Sequence, residues 1–464
     1  MIVPFLMTLM TSYDRPYLWA FYKFLDEAKK NNLPIIAQEE YFTLPSELAE
    51  KGRSEVVSET FVRNARLNYE LPKDEDLDKI IKYIIPYSLQ KRVIDDKKSI
   101  NNAYISLLTE VWPELYDLLV GFVDDINSKY EEKIEAFITM SHNPTLSKIA
   151  EERNIKVIHM EMGTFREPTY IKTAYFDFEN LYGDASTELR YKRFLEQKDD
   201  TVAILERKEI LAILLERNSM HYLNRLEQKP EFEIGLALGY AIWPIYMVNT
   251  YYNDEELLYR TSKQYDFNDI LVRRHPGDPA GAAYPKYDYL RDASANTIEF
   301  ILKCKRVASV ASNVSMEAML FGRTPYVATE CPYYYNTEHN IENINAKIAE
   351  LEYINFYCFV YLVPFTLLWD QNYMKWRLTN PSEIEIYKRH IQEYLNEKNI
   401  AENVLQVNAK DRFNKILEAQ DYDLKADYAN IDVKPASKFT VGAYQREIIR
   451  LRKLLEEQEK DDKR

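Results

Sequence analysis

Glycine is scarce in this chain. There are ten in 464 residues, and none falls in a GxGxxG or GxxxxGK[ST] arrangement. Those motifs need glycine so that backbone amides can close around a phosphate, so classical dinucleotide-fingerprint and P-loop chemistry is excluded. Cysteine is rarer still. Cys304, Cys331 and Cys358 are scattered, without CxxC or Cys/His spacing. A disulfide framework and a structural zinc site are therefore not expected, and a reducing compartment fits. Positive charge is short as well: 60 basic residues stand against 74 acidic, a formal charge of −14. Nucleic-acid binding, which needs a broad basic face, is not expected. No apolar run is long enough to span a bilayer, and the apolar start Met1–Met10 lacks a basic leader region. It reads as a buried first strand, and the protein is expected in the cytoplasm.

What is present is a chain with 46% hydrophobic and 29% charged residues, long enough for two domains plus accessories. Residues 1–130 read mainly as helices, with apolar positions at helical spacing over Tyr17–Lys30, Leu77–Leu89 and Ile100–Lys129. The period then changes. Lys133–Met140 and Ile155–Met162 are strand-like and flank the helical Pro144–Arg153, a βαβ pattern. A linker near Pro230 precedes a second alternation. Strands are expected at 233–239, 269–274, 307–311 and 325–328, with helices at 254–264, 294–303 and 314–321 between them. The fold class is α/β: two Rossmann-like domains facing a cleft, the GT-B arrangement. The expected division is 1–225, 226–345, a helical segment 346–430 packing back on the domains, and a tail helix 431–464. The aromatic-rich stretch Tyr353–Trp369 contains Asn355 and Pro364, so buried packing is expected there rather than membrane insertion. The tail helix is a candidate for assembly or peripheral contact at the inner membrane.

Two motifs carry the chemistry of the second half. The strand run before Arg273-Arg274-His275-Pro276 ends in cationic and hydrogen-bonding groups, as phosphate recognition requires. Ser312-Asn313-Val314-Ser315 and Glu317 then form a hydroxyl-rich turn into a helix, which reads either as a helix-terminus anion site or as plain N-capping. Both motifs sit where open α/β sheets bind nucleotides. Arg273, Arg274, His275 and the turn can meet phosphate charge, so no metal and no cofactor are expected. The acidic run after Asn253 reads as a helix start.

In the first half, Ser141-His142-Asn143-Pro144 closes one strand. The next runs into Glu161-Met-Gly163-Thr-Phe-Arg166-Glu167-Pro168-Thr-Tyr170, followed by Asp177. Glu161, Glu167 and Asp177 are the candidate catalytic carboxylates. His142, Asn143, Arg166 and Tyr170 are candidates for holding sugar or acceptor. The alternative is a surface loop with ordinary ion pairs.

These stretches resemble bacterial Kdo transferases, with glycosyltransferase family 99, the retaining β-Kdo transferases, as the best match. They are more distantly similar to capsule Kdo transferases and bacterial sialyltransferases. The resemblance spans residues 130–330. It implies a CMP-sugar donor, a glycan or glycoprotein acceptor and a role in lipopolysaccharide or capsule assembly. It also implies that His275 contacts the CMP phosphate, with Ser312, Asn313 and Ser315 completing the site. Glu167 would lie near the reacting sugar, and Arg166 would hold the sugar-acid carboxylate. The family pattern further implies an aspartate nucleophile upstream of His-Pro. Here the corresponding segment, Leu236–Pro244, has no carboxylate. Three alternatives stay open: another of the named carboxylates acts, the course is inverting, or the chain binds without transferring. Two other functions are carried alongside: a CDP-polyol phosphotransferase of teichoic-acid type, with His142 as its second histidine, and a non-catalytic CMP-sugar-binding scaffold.

Overall fold

The computed structural model describes residues 1–8, 17–50, 70–183, 185–200, 202–239, 248, 253–275, 289–343 and 348–424. Pro276, the segment Tyr240–Pro244 and the expected tail helix 431–464 lie outside the described residues. The chain divides into two compact units. Unit 1 comprises Met1–Ser186 and Tyr361–Ile386, and unit 2 comprises Thr187–Val360 and the described residues from Tyr387 onward.

Unit 1 is built on a seven-stranded sheet. Its first strand, β1 (Ile2–Leu6), is buried at every position and bears out the reading of an apolar N-terminal strand. β2 (Pro34–Gln38) and β3 (Ile81–Ile85) lie on one side of it, and β4 (Ala136–Thr139) and β5 (Lys156–Met162) on the other. All five are parallel. β6 (Thr173–Asp177) and the two-residue strand Val363–Pro364 add antiparallel edges. The strand order reverses between β1 and β4, where a doubly wound sheet opens a crevice. Helix α1 (Leu18–Asn31) buries one face through Leu18, Phe21, Phe24, Leu25 and Ala28, and ends at Asn32 in the left-handed region.

Two expectations in this half are corrected. Leu77–Leu89 is not one helix but β3 followed by Pro86 and α2 (Tyr87–Lys97). The β-branched run Ile80–Ile85 favours strand, and proline bars a helix from passing through. Likewise Ile100–Lys129 splits into α3 (Ile100–Thr109) and α4 (Pro113–Lys129), with Pro113 at the first turn of the second.

Unit 2 has a five-stranded, wholly parallel sheet in the order β11-β10-β7-β8-β9. The strands are β7 (Phe232–Ala237), β8 (Ile270–Arg273), β9 (Leu290–Arg291), β10 (Cys304–Ser309) and β11 (Thr324–Val327). All four expected strands are there, and β9 is a short addition. The expected helices appear as α5 (Asp254–Gln264), α6 (Thr297–Lys303) and α7 (Val314–Leu320). The first strand is again central, and the order reverses between β7 and β10. Each unit is thus Rossmann-like in strand order.

The division departs from a break at residue 225. Residues 361–386 belong with unit 1 because Val363 pairs with Ala174 and Phe365 N–H donates to the Lys172 carbonyl at 3.2 Å. Residues 187–225 belong with unit 2. There Asn355 closes a two-way amide contact with Leu205, and Arg412 forms a buried bidentate pair with Glu209 at 2.9 Å. The aromatic stretch is buried as expected, from Tyr353 to Val363. Among the described residues no helix is long and apolar enough to cross a membrane.

Candidate functional site

In unit 1 the ends of the parallel strands gather most of the candidate residues. At the reversal point, β1 runs out at Met7–Thr8 and β4 at Ser141–Asn143. Ser141 Oγ donates to the Met7 carbonyl at 3.3 Å, which ties the two strand ends together. Asn143, expected to hold sugar, has its side chain engaged as the cap of the helix Pro144–Glu152, accepting from Leu146 N–H at 3.0 Å. His142 is half-buried, and its ring lies 5.9 Å from that of His159 on β5. Burial, with His142 alongside, pushes the His159 imidazole down to about 3.

Glu161 stands at the outer end of β5. Burial drives its carboxyl above the ordinary range, opposed by the Arg166 charge and by the Met162 N–H, which donates to Oε1 at 2.9 Å. Its charge in turn acts on the phenols of Tyr17 and Tyr104. Arg166 is anchored rather than loose: Nε donates to the Gly163 carbonyl at 2.9 Å and Nη2 to the Met162 carbonyl at 3.0 Å. Gly163 is required in this turn. A Cβ there would stand 2.4 Å from Thr173 Oγ1 and 2.9 Å from the Thr173 backbone.

Glu167 is half-buried and precedes a cis peptide bond to Pro168. It acts on Lys172, a residue that no sequence motif marks. The Lys172 ammonium is buried 3.8 Å from the centre of the Phe365 ring, and burial lowers it to about 7 against the pull of Glu167. Tyr170 is packed inside against Phe165 at 5.1 Å. Asp177 sits further back on the sheet, opposite His159. Its carboxylate accepts from Glu179 N–H, Ser186 N–H, Ser186 Oγ and Tyr361 Oη, all within 3.0 Å. Four donors on one buried carboxylate describe a bracket between β6 and the returning chain.

In unit 2 the expected donor-site residues divide sharply. Arg273 donates to Asp292 at 2.6 Å and to the Ser294 carbonyl at 3.2 Å, and the Asp292 side chain is fully buried. Ser315 is fully buried, its hydroxyl 2.8 Å from Ser309 Oγ, and it donates to the Tyr326 carbonyl at 3.3 Å. Both side chains serve the local fold. Glu317 is buried on α7. Arg274 and His275 follow β8, half-buried and exposed respectively, while Ser312 and Asn313 follow β10 and are half-buried. β8 and β10 both neighbour β7, so these two groups follow the strands on either side of it.

A carboxylate also reaches that strand end, one that the reading of Leu236–Pro244 alone missed. Asn253 caps α5 as expected, accepting from Glu256 N–H at 2.8 Å, but Asp254 is 6% exposed. A side chain built at Gly239 would lie 3.8 Å from Asp254 Oδ2. The acid arrives from the next helix rather than from the strand.

No curated protein matches the chain. Among solved structures it is similar to the beta Kdo 2,7 transferase of Thermosulfurimonas dismutans KpsC at 16% identity and a TM-score of 0.36, over 52% of this chain and 81% of that one. It is similar to Methanocaldococcus jannaschii UDP-GlcNAc 2-epimerase at 13% identity and a TM-score of 0.26, over 70% and 83%. The wall teichoic acid polymerase TagF is similar at 11% identity and a TM-score of 0.21, over 90% and 88%. The family comparison is the informative one: the chain resembles glycosyltransferase family 99, and residues 4–186 match that family's N-terminal domain.

Proposed function

We propose that this chain is a glycosyltransferase that moves Kdo or a related nonulosonic acid from a CMP-sugar to a glycan acceptor. Unit 2 is the nucleotide-binding half, through Arg274, His275, Ser312 and Asn313. Unit 1 supplies the acid–base group. Glu161 carries the reading: a carboxyl held above its usual range, beside the Arg166 charge, at the strand ends of a domain matching a glycosyltransferase family. In either stereochemical course the acceptor hydroxyl must lose a proton as its oxygen attacks the anomeric carbon. A carboxyl tuned toward neutrality is suited to take it. The electrons of the breaking sugar–phosphate bond leave with CMP, whose charge His275 and Arg274 meet without a metal. Arg166, with two of its donors fixed to carbonyls, remains a cation for the sugar-acid carboxylate.

The test is release of CMP from CMP-Kdo in the presence of bacterial surface glycans, with chelator added. Turnover that survives chelation and is lost in Glu161→Gln supports the reading. Turnover with a CDP-polyol instead would replace it with phosphotransfer.

A further inference from the structure

Away from the strand ends, unit 1 contains a cleft of about 410 Å³ between α1 and the returning segment Phe365–Asn372. That volume lies in the range of small-molecule sites. β1 and β2 are parallel, so the helix joining them runs back along the sheet. Glu27, on the cleft wall, therefore lies about 14 Å down the α1 axis from Leu18, which follows the end of β1. None of the strand-end residues around Glu161 lines this cleft.

The charges on its wall are paired among themselves. Lys23 donates to Glu27 at 2.8 Å and to Asp26 at 3.3 Å, and Lys30 donates to Asp26 at 2.7 Å. Glu27 also accepts from the Asn31 amide at 3.2 Å. Asp370 caps the helix Gln371–Leu378, accepting from Tyr373 N–H at 2.6 Å. With both signs paired, the cleft offers little to an anion or a cation. What remains is neutral hydrogen bonding over an apolar floor. The Phe365 and Trp369 rings lie 6.3 Å apart, with Phe24 packed against Trp369 at 5.5 Å. The side-chain amides of Gln371 and Asn372 bond to no other group among the described residues, and each carries both donors and an acceptor. The Trp369 side chain is 7% exposed, and its indole N–H has no acceptor. A buried indole N–H ordinarily finds one.

We propose that this cleft binds neutral sugar units of a glycan, away from the reacting end of the chain. Sugar hydroxyls both donate and accept, as the Gln371 and Asn372 amides do, and their oxygens supply the acceptor that the Trp369 N–H lacks. The apolar C–H faces of the ring suit the Phe365 and Trp369 floor. Identifying that glycan with the acceptor rests on the transferase reading; the cleft's preference for neutral sugar does not.

The chain has five tryptophans, so nitrogen-15 NMR of the full protein can follow single indole N–H signals, with Trp369 assigned by its loss in Trp369→Phe. Neutral trisaccharides of glucose, galactose, mannose and N-acetylglucosamine are titrated in, with inorganic phosphate as the anion control. The Trp369 signal should move saturably with at least one trisaccharide and stay still with phosphate. The double variant Gln371→Ala, Asn372→Ala should weaken that binding by about 5–100-fold, the worth of two neutral hydrogen bonds, at an unchanged melting temperature. It should also raise KM for a long acceptor while leaving CMP affinity alone. No shift with any trisaccharide, an equal shift with phosphate, or unchanged affinity in the double variant overturns the proposal. If the wild type transfers no sugar, the functional reading fails, yet the titration still decides whether the cleft takes neutral sugar.

Discussion

The two units share a strand order and use their strand ends differently. In unit 1 the ends collect titratable groups whose proton affinities are displaced by burial: Glu161 upward, Lys172 down to about 7, Tyr104 up to about 12. In unit 2 the arginine and serine that look most like phosphate ligands are bound into the scaffold, Arg273 to Asp292 and Ser315 to Ser309 and Tyr326. One motif thus contains both half-buried or exposed groups at the strand end and groups committed to the scaffold. Reading every polar residue of a motif as a contact overstates the site. The lesson for unit 1 is the converse: Lys172 belongs to no motif and becomes visible only through its burial against Phe365.

That contrast can be broken in order of effect. The largest change should come from Glu161→Gln, which removes the acid–base group and should lower kcat by about 10²–10⁴-fold with the fold intact. Asp254→Asn is its rival on unit 2. A larger loss there than at Glu161 would move the chemistry to the end of β7. Next in size is Arg273→Ala, read as stability rather than affinity. It leaves the buried Asp292 carboxylate unpaired, at about 3–5 kcal/mol in denaturant unfolding. His275→Ala, by contrast, should weaken CMP by about 10–100-fold, the worth of one hydrogen bond to a charged group, at an unchanged melting temperature.

A pH dependence tests unit 1 by a different readout. Lys172 is held below its unfolded value, so between pH 7 and about 10 the unfolded chain binds more protons than the native one. Its burial therefore weakens the fold fully below pH 7, and stability recovers as pH rises through that window. Lys172→Met should flatten this slope in thermal melts and raise stability at neutral pH.

Much of this was legible in the sequence, for identifiable reasons. The unit 2 strands are short apolar runs bounded by turn residues, so their positions and the strand-end location of His275 and Ser312 follow from pattern alone. The first third was harder. β2 is only Pro34–Gln38, and β3 hides in an apolar run whose spacing also fits a helix until Pro86 is given its due. The antiparallel edge at Val363–Pro364 pairs with residues far away in sequence, so no local signal announces it. At the site, Glu161 was visible because it ends a strand. The four-donor bracket on Asp177 depends on partners as far away as Tyr361, which only folding supplies, whereas the Asn143 cap is local, with its partner three residues on.

The most direct measurement is calorimetric titration of CMP, with CDP and UDP alongside, into wild type, His275→Ala and Glu161→Gln, paired with CMP release from CMP-Kdo by the same three proteins. The account predicts cytidine-selective CMP binding that His275→Ala weakens and Glu161→Gln leaves intact, while Glu161→Gln lowers turnover at saturating donor by about 10²–10⁴-fold. No CMP binding by the wild type, or equal loss of binding in both variants, would contradict the division of labour between the two units.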